Sequence, residues 1–272
     1  NGIYKISLST NAVEKLNLNL PDNKRNNVLY KDNNSLFLGR EDGLFIYDTD
    51  CSCFKAYINE LINHRVYSIT SDDEYLWIGT LYDGLYRYNK NTSEILQITK
   101  DQNNVNSLSD ISVLSLFIDA SNVMWIGTFH GGVNYINSNN FEFNTINNKT
   151  PQYSCLESNV IHNILETPNS GLWLATQNGL AKILENSCEI FQFSENNKNS
   201  LSANTTISVS TVGEDIWITN SQGGFDQIKN DTIKVARLGE KYSHLSFFFT
   251  IKFPTSPRNA QPSSSEESVI VE

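Results

Sequence analysis

The 272-residue chain carries 30 acidic against 20 basic side chains, a formal charge of −10, and that balance argues against a nucleic-acid phosphate backbone as partner. Its 39% hydrophobic and 11% aromatic content suits a soluble fold that buries most of its unfolded surface without metals or cross-links. No run approaches the roughly 18 apolar residues of a membrane span, so this segment makes no membrane contact of its own, and a signal peptide would lie upstream of its first residue.

In chain order, residues 2–19 hold a glycine, Gly2, and the runs "GIYKI" and "VEKLNLN", the tail of a repeating unit. Complete units follow at about 27–59, 65–99, 111–146, 160–193 and 206–237. Each opens with an apolar run of alternating type, such as "VYSIT" at 66–70 or "VLSLFID" at 113–119, which reads as a strand. A polar turn leads to a second strand anchored by Phe37, Trp77, Trp125, Trp173 or Trp217, at successive spacings of 40, 48, 48 and 44 residues. A tight loop then ends in Gly43, Gly84, Gly132, Gly179 or Gly224, and third and fourth strands close the unit.

Four short antiparallel strands repeated at this period predict an all-β fold, a β-propeller of four-stranded antiparallel blades. Five blades are complete, with a partial or split sixth; a fragment of a seven-bladed propeller is the other reading. In the split version "HLSFFFTIKF" at 244–253 joins residues 2–19 to close the ring, giving a propeller over 1–253. Residues 254–272 are rich in Pro, Ser and Glu and are expected to be a disordered tail.

Both faces of a blade pack on neighbours, so both alternating sets of side chains must be apolar or small. Trp77 and Gly79 should point one way and Ile78 and Thr80 the other, and the tryptophans read as core. The small residue two places after each anchor (Gly39, Gly79, Gly127, Ala175, Thr219) is expected to make room for the indole of an adjacent blade. Cys51, Cys53, Cys155 and Cys188 read as unpaired loop thiols; with no convergent ligands near them, neither a metal nor a cofactor is expected.

The second-to-third-strand loops and the fourth-to-first-strand connections should emerge together around the central channel. Arg40, Tyr82, Asp83, Phe129, His130, Gln177, Asn178 and Gln222 are the candidate ligand-binding residues there, with Glu41, Asp42 and Ser221 beside them. Aromatic faces mixed with amide, carboxylate and guanidinium groups suit a hydroxyl-rich sugar. His64 and His162 precede or open first strands and should face channel or solvent. No catalytic motif is present, and Asp72 and Asp73 read as turn residues.

Asn-Ser-Leu-Ser, a strand ending in Asp, Trp-Ile-Gly-Thr, Gly-Gly and a closing Tyr-Ile-Asn run through "NSLSDISVLSLFIDASNVMWIGTFHGGVNYIN" at 106–137. This resembles the two-component regulator propeller repeat. Residues 199–228 resemble it too, with Thr219 and Asn220 in place of Gly-Thr, and the Phe37 unit is a weaker copy. The resemblance covers about residues 1–237. It implies a non-catalytic, ligand-sensing part of a hybrid two-component sensor, periplasmic or otherwise extracytoplasmic and anchored through a larger protein, with the histidine kinase on sequence outside this chain. It further implies an oligosaccharide ligand or support of a sensor homodimer. The alternatives are a propeller lyase or glycosidase acting on polysaccharides, or a protein-interaction propeller.

Overall fold

The computed structural model describes residues 3–7, 13–15, 18–21, 23–137, 142–167, 171–184, 187–212, 215–222, 225–229, 232–236 and 267–271. The hairpin β1 (Ile3–Ser7) and β2 (Val13–Lys15) comes first. Blade 1 follows as β3 (Asn26–Asp32), β4 (Ser35–Arg40), β5 (Gly43–Asp48) and β6 (Cys53–Ala56). Blade 2 is β7 (Arg65–Ser71), β8 (Tyr75–Leu81), β9 (Leu85–Asn89) and β10 (Ile95–Ile98). Blade 3 is β11 (Val113–Ile118), β12 (Val123–Thr128), β13 (Val133–Asn137) and β14 (Asn144–Ile146). Blade 4 is β15 (Ile161–Thr167), β16 (Gly171–Thr176), β17 (Gly179–Ile183) and β18 (Cys188–Phe191). Blade 5 is β19 (Thr206–Val212), β20 (Asp215–Asn220), β21 (Phe225–Lys229) and β22 (Thr232–Ala236).

Every blade is an antiparallel meander, and the first strands β3, β7, β11, β15 and β19 lie next to one another in turn, which makes them the inner row of a β-propeller. A last strand, β23 (Glu267–Val271), pairs antiparallel with β1 on the side away from β2 and completes a three-stranded sixth sheet beside β3. This corrects the expectation of a tail without structure for 267–271. "ESVIV" is rich in β-branched residues, which favour a strand wherever an unpaired edge is offered, and the Pro/Ser/Glu bias of the preceding residues hid it. The segment 244–253, expected to complete that sheet, lies outside the described residues.

The core is a series of apolar layers between successive sheets. Ile78 faces back to join Val28, Phe37 and Val66 between blades 1 and 2, whereas Trp77 faces forward to join Leu108, Val113 and Ile126 between blades 2 and 3. Leu174 and Trp173 divide in the same way between the layers on either side of blade 4. Leu38 packs with Ile3 of the sixth sheet. Alternation on a two-sided buried sheet therefore sets which neighbour each side chain meets. Trp77 and Trp173 are only 6% and 2% exposed, while Trp125 and Trp217 are half-buried.

In blades 1 to 3 the glycine after the anchor serves a different neighbour from the one expected. A Cβ on Gly79 would stand 2.6 Å from Cγ1 of Val113, a Cβ on Gly39 2.6 Å from Val66, and a Cβ on Gly127 2.8 Å from Ile161. The position makes room for two first-strand residues, the partner within its own blade (Val28, Ser68 or Ser115) and the β-branched residue of the next blade, and not for an indole. At these three positions an added Cβ would fall well inside van der Waals contact, so a side chain there would have to displace its neighbours, whereas blades 4 and 5 carry Ala175 and Thr219 at the same place.

The anchors of blades 2 to 4 are also held from within their blades. Asp119 Oδ1 accepts hydrogen bonds from Ser121 N (2.8 Å) and Val123 N (2.9 Å), while its Oδ2 accepts from Trp125 Nε1 at 2.8 Å. Asp72 does the same for Glu74 N, Tyr75 N and Trp77 Nε1, and in blade 4 the hydroxyl of Thr167 takes the Trp173 Nε1 at 3.2 Å. One carboxylate thus closes the hairpin turn and fixes the indole rotamer, a role beyond the turn chemistry expected of Asp72.

The cysteines are not free. Cys51 pairs with Cys53 in the turn before β6, and Cys155 with Cys188, tying the connection ahead of β15 to the outer strand of the same blade. A cross-link closing a loop of 33 residues stabilises by about 3–4 kcal/mol in the chain-entropy account. Its partners come together only through the meander, so their spacing in sequence does not announce them.

Asp119→Ala leaves three donors without their acceptor and is expected to destabilise the chain by about 2–4 kcal/mol. Exposed Asp73→Ala, in the corresponding turn of blade 2, should stay within about 0.5 kcal/mol of the parent. Urea unfolding of both variants measures the difference.

Candidate functional site

The loops on one face of the wheel are zipped together by backbone hydrogen bonds that cross from blade to blade. Gly84 N donates to Ile111 O (2.7 Å), Gly132 N to Asn159 O (3.1 Å) and Gly179 N to Asn204 O (2.6 Å). In blade 1 the direction reverses, and Asn63 N donates to Asp42 O at 3.0 Å. Gly84 sits at φ +82, where a Cβ would run into the carbonyl oxygen of Ile98, so the recurrent glycine is demanded by both conformation and space. In blades 2 to 4 the threonine of the anchor motif closes the loop from below: the hydroxyls of Thr80, Thr128 and Thr176 donate to Gly84 O, Gly132 O and Gly179 O at 2.8, 2.7 and 2.8 Å.

Arg40 takes the place of that threonine in blade 1 and is 1% exposed. Its guanidinium donates to Asp42 Oδ1 (2.9 Å), Asn26 Oδ1 (3.2 Å) and Pro21 O (2.7 Å). It is a pillar under the loop, with Asp42 as its counter-ion, and presents nothing to the rim. Glu41 stays outside, its carboxylate 3.4 Å from Arg25 N.

Tyr82 is the most prominent aromatic of the expected set: 59% exposed and held at φ +81, a conformation that costs a non-glycine residue energy. Asp83 beside it places Oδ2 3.0 Å from Nδ1 of His64, out of line for a hydrogen bond. Phe129 and His130 meet edge to face at 4.3 Å between ring centres, and His130 N donates to Asp110 Oδ2 at 2.8 Å. Gln177 and Gln222 are exposed and Asn178 half-buried on the loops of blades 4 and 5. Their backbones are tied down locally, as when Asn178 N donates to Thr176 Oγ1 (3.1 Å) and Gln222 N to Asn220 Oδ1 (3.0 Å). Ser221 N donates to Thr205 O at 2.9 Å. The structure therefore brings Tyr82 and Asp83 together with His64, and Phe129 with His130. Among the described residues no contact joins either group to Gln177, Asn178 or Gln222.

A set of residues not expected from sequence stands closer to the axis. In all five first strands the register slips by one near the loop face: between Asn26 and Val28, Val66 and Ser68, Val113 and Ser115, Ile161 and Asn163, and Thr206 and Ser208. The extra residues are Asn27, Tyr67, Leu114, His162 and Ile207, each half-buried where its flanking residues are packed more deeply or paired. A bulge re-aims its side chain out of the alternating pattern, and on the innermost strand the open direction is the channel. Tyr67 sits where the loops of blades 1 and 2 converge. Burial raises its phenol above the ordinary value, Glu41 and Tyr82 push the same way, and Arg65 and Arg25 oppose them. The signal in the sequence was a run such as "VYSIT", which only nearly alternates.

His162 Nε2 is buried without a hydrogen-bond partner, and burial holds the imidazole below its usual value of 6.5. The folded chain thus keeps His162 neutral while the unfolded chain takes up a proton. The resulting stability is complete above pH 6.5 and is lost as pH falls below it toward the folded value. His162→Phe should flatten the fall in urea midpoint between about pH 7 and pH 5 relative to the parent; parallel profiles would contradict this. Among the described residues no three His, Cys, Asp or Glu side chains gather closely enough to hold a metal ion.

Residues 107–130 match the profile of the family described as two component regulator propeller. No sequence among the curated proteins matches the chain. Among solved structures, the extracellular domain of BT3049 from B. thetaiotaomicron, described as a hybrid two component system, superposes with a TM-score of 0.57 at 17% identity, over 81% of this chain and 36% of that one. PorZ, a surface component of the type-IX secretion system of Porphyromonas gingivalis, gives a TM-score of 0.57 at 14% identity over 87% of this chain and 30% of its own. The β-propeller domain of Cps50 from Myceliophteria thermophila gives 0.52 at 9% identity, over 75% and 64%. The chain spans about a third of the length of the two bacterial structures. Likeness at these identities shows the fold, and the chain is thus a β-propeller in which residues 107–130 of blade 3 match the two component regulator propeller profile.

Proposed function

We propose that the chain is a non-catalytic, extracytoplasmic sensing propeller of a two-component system, and that its loop face takes an oligosaccharide. The family repeat at 107–130 supports the signalling context. The pairing of all four cysteines suits an oxidising compartment outside the cytoplasm. The observation that carries the ligand reading is Tyr82, an exposed ring kept at an unfavourable backbone angle beside the channel mouth. Local strain of this kind persists where the surrounding structure enforces it, and it concentrates at ligand sites. A tyrosine face stacks on the apolar side of a sugar ring, while the neighbouring Asp83 carboxylate and His64 imidazole serve its hydroxyls.

Tyr82→Gly removes the ring and also relieves the backbone. The variant should unfold no earlier than the parent, yet bind an oligosaccharide selected from a calorimetric panel about tenfold more weakly. Unchanged titration curves would take Tyr82 out of the site. Release of reducing ends or unsaturated products from any polysaccharide in the panel would replace the sensor reading with that of a glycosidase or a lyase.

A further inference from the structure

The first strands of blades 1 and 2 begin alike. Val28 pairs with Gly39 and Ser68 with Gly79, and three residues before each stands an arginine, Arg25 and Arg65. The same position holds Ser112, Val160 and Thr205 in blades 3, 4 and 5. β3 lies against β7, and Asn27 Nδ2 donates to Val66 O at 2.9 Å, which pins the two strand starts side by side. Two arginines therefore occupy equivalent positions on adjacent blades, and both are near enough to Tyr67 to act on its phenol. Both side chains are exposed, and among the described residues neither is in an ion pair.

Like charges in neighbouring positions repel, and the chain as a whole is acidic at −10. Two arginines with a single carboxylate, Glu41, beside them leave an excess positive charge at this corner, which an anion would relieve. Around them stand the phenol of half-buried Tyr67, the exposed ring of Tyr82 and the carboxylate of Glu41, which lies at Arg25 N. The planar forks of arginine match an oxyanion with two hydrogen bonds each. Tyr67 can donate a further one, Tyr82 offers a stacking face, and Glu41 can accept from sugar hydroxyls while selecting against an anion without them.

We propose that this corner of the loop face is a subsite for the oxyanion of an acidic sugar, a uronate carboxylate or a sulfate ester, held by Arg25 and Arg65 over Tyr67. The proposal rests on the reading that the loop face binds an oligosaccharide and narrows the class of sugar.

The test is calorimetric titration of the full chain with three probes of equal length: an oligogalacturonate, a sulfated galactan oligomer and a neutral galactan oligomer. The expected result is that at least one acidic probe binds about tenfold or more tightly than the neutral one, with an affinity that falls as salt is raised. The double variant Arg25→Gln, Arg65→Gln should lose that advantage while keeping the parent's melting temperature and any affinity for the neutral probe. Which acidic probe responds distinguishes carboxylate from sulfate. If the neutral oligomer binds as well as both acidic ones, or if the double variant binds them unchanged, the subsite is refuted and the oligosaccharide-sensing reading stands. If none of the three binds, both are refuted for sugars of this class.

Discussion

The stacking of blades 1 to 4 depends on one close approach repeated from sheet to sheet: a β-branched residue at the start of a first strand seats against a glycine of the preceding blade. Val66 meets Gly39, Val113 meets Gly79 and Ile161 meets Gly127. The inner strands can then crowd around an axis while the larger anchors fill the widening space farther out. Trp77 and Trp173, each held by a hydrogen bond from its own hairpin turn, occupy that space. The stability of the wheel lies in these interlayers and not in any single blade, since an isolated four-stranded sheet would leave two apolar faces in water.

The same geometry creates the candidate site. Each inner strand carries a bulge at its loop-face end, which takes one side chain out of the alternating pattern that packs the rest against neighbouring blades. The loops above are then fastened to one another by the glycine amides, which leaves few ways for the rim to move. Tyr82 is caught in this fastening at a positive φ. A rigid rim with a few protruding rings is a preorganised surface, and preorganisation reduces what a ligand must give up in ordering it.

The repeat made the fold legible, and the reasons are particular. Trp77, Trp125 and Trp173 announced the second strands because a scarce and large side chain recurs at one fixed spacing, and the glycine loops announced their ends. What the small residue accommodates was not legible: a glycine two places after an indole suggests the indole, and only the stacking of sheets reveals the neighbouring valine. Arg40 read as a rim residue because it borders a turn, whereas three polar acceptors converge on it from below. The bulge residues escaped because one extra position in a seven-residue strand barely disturbs its hydrophobic pattern. Arg25 and Arg65 share a position that can be counted in the sequence once the register is known, and not before. The Cys155–Cys188 bridge and the pairing of β23 with β1 likewise join residues that nothing local connects.

The central claim is most directly tested by a double-mutant cycle on Gly79 and Val113, followed by urea unfolding. Gly79→Ala alone should cost about 1–3 kcal/mol, since the added methyl meets Ser68 Oγ within its own blade and Val113 Cγ1 across the blade interface. Val113→Ala vacates that space, so the double variant should be less destabilised than the sum of the two single ones by more than about 0.5 kcal/mol. Strict additivity would mean that the two residues do not touch, and the account of how the blades stack would be wrong.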